Sequence, residues 1–383
     1  MKKIKTVYNL NPWKIDSSVE RFLGKRADKS QFWKNLYVQY YKTFDAEYYK
    51  KGMPLINKNI KLFLGDLSDK ERQPHVVDMV YSLHRFGCMF DEYFLYNYPL
   101  CGTKERESFV TDKLRWYYYA AINTNEAVEI FNDKKKCYDL FEKWFKRDLI
   151  LVSSADDKGE FLRFAEKHKR FIVKPYNSSG GRGISIKNVE ETSLEDCFNE
   201  LIAGGNAVVC EELVVQSEKM AALHASSVNT LRMPTIRVGD EIHLFHPLLR
   251  MGVGNAVVDN ASSGGIFALI DPETGIVCSE ARDEKGGVFD AHPDTHIVFN
   301  GYKIPDWKQA VELVQELAMV CPDCRYVGWD LAHTENGWVM IEGNPRGQIV
   351  MMQLFYDIGF KKEFEQYIEM VQAAEPDACK VEE

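Results

Sequence analysis

Two periodicities divide the chain. From about residue 13 to 147, apolar and aromatic positions recur at helical spacing, as in Phe32, Leu36, Tyr37, Tyr40 and Tyr41, which predicts a helical half. Its charged aromatic stretches, Arg85-Phe86-Gly87 and Asp91-Glu92-Tyr93-Phe94, are expected to be packing faces with solvated backs. A further helix is expected over 135–145, capped by Asn132 or Asp133. From about residue 149 short apolar runs alternate with helical segments: strands at 149–152, 171–174, 184–187 and 207–213, helices at 158–169 and 193–202. Strands at 231–238, 242–250 and 266–270 follow, then a helix over 306–320 with Trp307, Val311, Val314 and Ala318 on one face. A last hairpin and a closing helix near 361–373 complete the α+β pattern, and the polar tail is expected to fray.

At 383 residues the chain has room for two or three packing units. Its 45% hydrophobic and 27% charged residues are those of a globular protein. With 48 Lys and Arg against 57 Asp and Glu, the net charge of −9 argues against nucleic acid as the main partner. No apolar stretch follows the basic start, and no uncharged apolar run reaches about 20 residues, so a cytoplasmic protein without a membrane span is expected. The nine cysteines are odd in number and scattered, which predicts reduced thiols; Cys321 and Cys324 lack a second ligand pair for zinc.

Two constellations carry chemistry. In the first, Lys174 ends the apolar strand Phe171-Ile172-Val173 and a loop follows, Ser178-Ser179-Gly180-Gly181-Arg182-Gly183. Glycines let backbone N–H groups close on an anion, serines add donors and the lysine adds a point charge, which suits phosphate. Ile184 and Ile186 then alternate with Ser185 and Lys187 as a strand, where a G-x-x-x-x-G-K-[ST] loop would open a helix, so this loop caps a hairpin. An ordinary Gly-rich turn with an exposed lysine fits the same residues.

The second constellation runs from Gly328 to Asn344, two strands flanking Glu335-Asn336-Gly337. With a three-residue loop and Gly337 left-handed, Thr334 pairs with Trp338, Asp330 falls opposite Glu342, and Asn344 shares that face. Trp329, Leu331, Val339 and Ile341 take the other, buried face. Opposed carboxylates repel unless a cation lies between them, and magnesium suits carboxylate and amide oxygens. A solvent-facing acidic pair would leave Asn344 and Pro345-Arg346-Gly347 unexplained. Between the two constellations an apolar strand turns acidic at Glu211-Glu212; such a hinge can hold a nucleoside, although a strand end meeting solvent reads the same way.

In this order, over roughly residues 131 to 360, these features resemble the ATP-grasp superfamily of carboxylate ligases. The stretches Ser226-Ser227-Val228-Asn229-Thr230-Leu231-Arg232, Leu249-Arg250-Met251-Gly252, Val258-Asp259-Asn260, Gly264-Gly265-Ile266 and Ile304-Pro305-Asp306-Trp307 resemble its sugar-transfer-associated group. The resemblance implies an α+β ATP-grasp fold whose two lobes hold ATP between them. Beside the helical domain over 1–130 and the flexible tail over 376–383 that the residue pattern predicts, it implies a first lobe with a Gly-rich lid hairpin over 131–215 and a second lobe with the metal hairpin over 216–375.

The resemblance further implies that Lys134 and Lys174 hold the α- and β-phosphates and that Ser178, Ser179, Gly180, Gly181 and Gly183 cover the triphosphate. Glu211 and Val214 match the adenine hinge with Glu212 close by, and Glu218 matches the ribose acid. Asp330, Glu342 and Asn344 match the ligands of two Mg2+ ions, for which Mn2+ can substitute. D-alanine ligases place an arginine two residues before the metal aspartate, where this chain has Gly328, so the catalytic cation is sought in Arg232, Arg250 and then Arg346. The helical N-terminal half also departs from the Rossmann-like domain of an ordinary ATP-grasp ligase.

The implied activity is an ADP-producing ligase that joins a small-molecule or peptide carboxylate to an amine through an acyl phosphate, in polysaccharide or peptide-type biosynthesis beside glycosyl-transfer proteins. A kinase of a sugar hydroxyl and a nucleotide-binding accessory of a glycosyl-transfer system are the competing readings. His224, His243, His246 and His292 are candidate bases, each more often structural. Asp330→Asn and Glu342→Gln are expected to abolish turnover with the fold intact.

Overall fold

The structure, a computed structural model, describes residues 18–44, 46–176, 183–256 and 258–376. The chain divides into two compact units. One comprises the described residues up to Ile122 with Glu284–Val288 and the segment from Gln348; the other comprises Asn123–Asp283 and Phe289–Gly347. Among the described residues no helix is long and apolar enough to cross a membrane.

The first unit is helical, as its period predicts. Helix Asp69–Phe86 starts where the Ser68 N–H donates to Glu71 (3.0 Å) and stops at Gly87, whose φ of 76° only glycine adopts cheaply. Arg85 donates to both oxygens of Asp28 (3.0 Å each), and Tyr93 donates to Asp78 (2.5 Å), so the charged aromatic stretches are packing faces. Asp78 is held ionised against its burial by Arg106 and Lys34. Helix Lys361–Ala374 belongs to this unit because Phe364 stacks on Tyr118 (5.5 Å) while Tyr118 donates to Glu365 (2.6 Å). The contacts thus divide the chain after Ile122 and return the closing helix to the helical unit, in place of boundaries at 130 and 375.

The second unit holds two antiparallel sheets. Strands β1 (Leu149–Val152), β2 (Arg170–Pro175), β3 (Ser185–Asn188) and β4 (Val208–Glu212) pair in the order β1–β4–β2–β3. Helices Lys158–Lys167 and Leu194–Ala203 bury Phe161, Phe164 and Phe198 against Phe171 and Val173. The strand alternation then leaves Arg170, Ile172 and Lys174 on the opposite face.

The larger sheet comprises β5 (Thr230–Val238), β6 (Glu241–Leu244), β7 (Leu248–Met251), β8 (Ile266–Ile270), β9 (Val277–Arg282), β10 (Val288–Phe289, of which Phe289 belongs to this unit), β11 (Tyr326–Thr334) and β12 (Gly337–Asn344). Its order is β10–β9–β8–β7–β5–β11–β12, with β6 also on β5. The strand expected over 242–250 is two strands. Phe245 N–H still donates to Pro234 O (2.8 Å), but Pro234 has no N–H to return, Pro247 has none either, and His246 turns the chain at φ 44°. A proline thus sits inside a central strand by facing the gap between β6 and β7.

Trp329 on β11 is fully buried between Phe131 and Phe141 (5.8 and 5.6 Å), and its indole N–H donates to Thr235 (2.9 Å). Gly343 on β12 lies directly opposite, where a β-carbon would stand 2.6 Å from the Phe131 ring and 3.1 Å from Trp329. Gly343→Ala is therefore expected to cost about 1–3 kcal/mol by overpacking, read as a lower midpoint in chemical denaturation; an unchanged midpoint would contradict this packing.

Candidate active site

A cavity of about 520 Å³ opens in the second unit between the face of β2 that carries Ile172 and Lys174, the hinge Glu211–Gln216, and the ends of β11 and β12. Ile172, Ile184, Ile186 and Ile341 form an apolar slot in it, and Ser226–Val228, Arg250 and Val258–Asn260 form its other wall. A smaller space of about 360 Å³ shares Lys134, Lys174, Glu211, Ile341 and Glu342 with it and reaches Asn344.

The cationic side rests on one buried carboxylate. Glu211, 3% exposed, accepts from Lys174 (2.6 Å) and Arg147 (2.6 Å). Its burial opposes the charge, yet the two cations hold its pKa at about 2. Arg147 also donates to the carbonyls of Phe145 (3.0 Å), Met340 (2.5 Å) and Ile341 (3.3 Å), tying the hinge to β12. Lys134, the first residue of helix Lys134–Phe145 behind its cap Asp133, donates to Tyr176 O (2.8 Å). Burial first and Lys174 after it push its ammonium below the ordinary lysine value, while Glu342 and Glu211 pull it up.

The acidic side lies on the β11–β12 hairpin. Its turn pairs Thr334 with Gly337 and His333 with Trp338, one residue off the expected register. A bulge then passes from Leu331↔Met340 to Asp330↔Glu342, with Ile341 as the extra residue, and so restores the expected carboxylate pair. The same bulge takes Ile341 off the buried face, where it was expected, and into the slot.

On its other side Asp330 faces Arg232 across β5. Arg232 donates to both its oxygens (2.5 and 2.9 Å), and Arg250 donates to Oδ2 (2.9 Å) and also to Asp259 (3.0 Å) and Asn260 (2.6 Å). Burial opposes the Asp330 charge, but Arg232 and then Arg250 hold its pKa at about 2. Glu342 has surface open to the cavity while protein surrounds it, and that enclosure, followed by Asp330, pushes its pKa up. Asn344 donates its amide to Asp330 (3.3 Å) and Glu342 (3.2 Å). Two carboxylates and one amide oxygen make a hard-oxygen donor set that fits Mg2+, with the amide turned over to present its oxygen. The Nε of Arg250 is buried without a hydrogen-bond partner, and Arg250 lines the cavity.

The sugar-transfer associated ATP-grasp family matches residues 113–369. The chain belongs to that family. Similar solved structures include the ATP-grasp ligase PsnB complexed with a phosphomimetic variant of minimal precursor, Mg and ADP (13% identity, TM-score 0.40, 77% of this chain and 78% of that one). D-alanyl-alanine synthetase A from Vibrio cholerae is similar at 12% identity (TM-score 0.41, 66% and 68%), and D-cycloserine synthetase DcsG at 15% (TM-score 0.39, 65% and 73%). No curated protein matches.

Within this ATP-grasp fold the expected residues fall into three groups. Lys134, Lys174, Glu211, Glu212, Val214, Arg250, Asp330 and Glu342 line the main cavity, Asn344 lines its neighbour, and Arg232 stands behind Asp330. Ser178, Ser179, Gly180 and Gly181 lie outside the described residues, and Gly183, the first described residue after them, has φ 75°. Glu218 and Arg346 are exposed and line neither cavity, and neither does any of the four candidate histidines.

The Glu211 side chain turns to Lys174 and Arg147, which leaves its backbone as the part that can face the hinge. Glu212 accepts from the Asp148 N–H (3.1 Å). Arg147 carried no signal in the sequence, being one basic residue of Lys146-Arg147 before a strand.

Glu211→Gln is expected to destabilise the protein by about 3 kcal/mol, because it leaves buried Arg147 without its anion. The depressed Glu211 and Asp330 pKa values supply stability that is complete above their ordinary values of 4.5 and 3.8 and is lost as pH falls through about 2. Denaturation midpoints followed down to acid pH should fall in that window, and less steeply in Glu211→Gln.

Proposed function

We propose that this chain is an ATP-dependent ligase that joins a carboxylate to an amine through an acyl phosphate, in the making of a sugar-containing polymer or a peptide-type metabolite. The observation that carries the reading is the meeting of Lys134, Lys174 and Arg250 with Asp330 and Glu342 around one apolar slot. The slot takes the adenine ring and the hinge backbone its edge; Lys134 and Lys174 take the α- and β-phosphates. The Arg250 guanidinium on the cavity wall takes the charge of the phosphoryl group in transfer. Asp330, Glu342 and Asn344 would hold two Mg2+ ions, which would supply charge neutralisation for the phosphates.

In the first step a substrate carboxylate oxygen bonds to the γ-phosphorus as the bond to the β,γ-bridging oxygen breaks, and ADP leaves with that electron pair. In the second the amine nitrogen bonds to the acyl carbon, phosphate leaves, and the nitrogen gives up one proton. Both steps ask for positioning and charge compensation, not for a protein nucleophile.

Hydroxylamine trapping tests the reading. Protein, Mg-ATP and a panel of sugar acids, amino acids and peptides should yield hydroxamate together with ADP. ADP without hydroxamate, formed only with hydroxyl substrates, would replace the ligase by a kinase, and ATP binding without turnover across the panel would favour the accessory role.

Glu342→Gln should lower turnover by about 10²–10³-fold while the fold persists. Asp330→Asn cannot be expected to leave the fold intact, since it strips the anion from two buried arginines. Lys174→Ala should weaken ATP binding roughly 10–100-fold by calorimetry, the size of one charged hydrogen bond; unchanged affinity would remove Lys174 from the site.

A further inference from the structure

We propose that His224 and His292 are positioning residues of the nucleotide cavity: a neutral histidine clamp that fixes the wall opposite the hinge and releases it in acid. Both rings are buried, at 3% and 0% exposure, and they stack at 5.6 Å. His224 Nε2 meets Gly254 O (2.9 Å) and His292 Nε2 meets Gly252 O (2.9 Å). A carbonyl only accepts, so both Nε2 atoms carry the proton. The other nitrogens face donors: the Ser227 N–H (3.3 Å) and Oγ (2.7 Å) at His224 Nδ1, and the Asp294 N–H (3.2 Å) at His292 Nδ1. Each ring is therefore held as the neutral Nε2–H tautomer.

The clamp grips both segments of the cavity wall. It fixes Ser227 within Ser226–Val228, and it fixes the backbone of Gly252-Val253-Gly254, from which the chain runs on to Val258–Asn260. Gly252 is pressed against it so closely that a β-carbon would stand 2.3 Å from Ser227 Oγ and 2.9 Å from His224 Nδ1. Asp294 completes the grip by accepting from the Gly254 N–H (2.6 Å).

A proton added to His292 Nδ1 would set two donors against each other and draw the Asp294 carboxylate, 3.9 Å away, off Gly254. Asp294 is the charged group facing His292, and His224 is the other titratable one; His224 itself faces Ser227, the Gly254 carbonyl, Gly252 and His292. Burial, ahead of any help from Asp294, keeps His292 harder to protonate than an ordinary histidine. The His292 side of the clamp is thus closed at neutral pH and opens only below the ordinary histidine range.

The test uses the full chain and two readouts. Hydrogen exchange of peptides spanning 252–260, corrected for intrinsic rates and measured without nucleotide, should rise as pH falls from about 7.5 to about 5 in the wild type. Affinity for Mg2+ with a non-hydrolysable ATP analogue should fall about tenfold for each pH unit once a histidine is forced to protonate on release. In His292→Gln, whose amide can still donate to Gly252 O but takes up no proton, both pH dependences should flatten.

If His292→Ala fails to fold, His292→Gln still decides. The proposal is overturned if wild type and His292→Gln show the same pH profile in both readouts, or if exchange of the segment does not respond to acid. It rests on the ATP reading only for its second readout: exchange that responds to acid in the wild type and flattens in His292→Gln, in a protein that binds no analogue at any pH, supports the clamp and removes the nucleotide.

Discussion

Asp330 keeps its charge although it is buried because two arginines share it. Arg232 comes from directly across β5 and Arg250 from the next strand, so the anion is satisfied by the register of three neighbouring strands. Slide β5 against β11 by one residue and Asp330 would face an apolar side chain, with two guanidinium groups stranded in the core. The same register sets Glu342 on the far side of Asp330 and so places both carboxylates against the cavity. The ion-pair chain is thus the fixed point to which the hairpin, the wall residue Arg250 and its partners Asp259 and Asn260 are referred.

The two sides of the cavity neutralise themselves. Lys174 lies on Glu211, and the Asp330 charge is divided between arginines, so in this arrangement the cavity presents few uncompensated charges. On the proposed reading a polyphosphate with its cations would enter by exchange: phosphate oxygens in place of carboxylates on the cations, metal ions in place of arginines on Asp330. Neither half is favourable alone, because a triphosphate without cations would set more negative charge beside Asp330 and Glu342, and a bare cation would displace arginines that then lack partners. Exchange of this kind couples the metal to the nucleotide without any moving part.

What the sequence disclosed was local. The helical half and the strands at 149–152 and 266–270 follow from period, and they stand; Asp330 does face Glu342, but through a bulge and not through the expected turn register. What it hid was set by distant segments. The interruption of 242–250 depends on Pro234 lying across from it, and the slot position of Ile341 depends on a bulge that compensates a one-residue difference at the turn. Arg147 matters because Glu211 and the Met340 carbonyl, both remote in sequence, converge on it. The side chain of Glu211 could be placed near a nucleotide from its motif, but its direction was fixed by Arg147, which no motif marked.

The walls of the cavity are held by different chemistry, and acid separates them. The hinge wall and the hairpin depend on carboxylates whose pKa values are held at about 2, so their grip survives far into the acid range. The wall formed by Ser226–Val228 and Val258–Asn260 depends on hydrogen bonds to uncharged imidazoles, and the contribution of His292 begins to be lost as pH falls below the ordinary histidine value of 6.5, about two to three units above the point where the carboxylates begin to lose theirs. A charge-based wall is rigid because breaking it strands buried ions; a wall of neutral hydrogen bonds costs far less to open. If one side of the cavity yields while the other holds, it is the Gly252–Gly254 side, and the Glu211 and Asp330 side is the frame against which it moves.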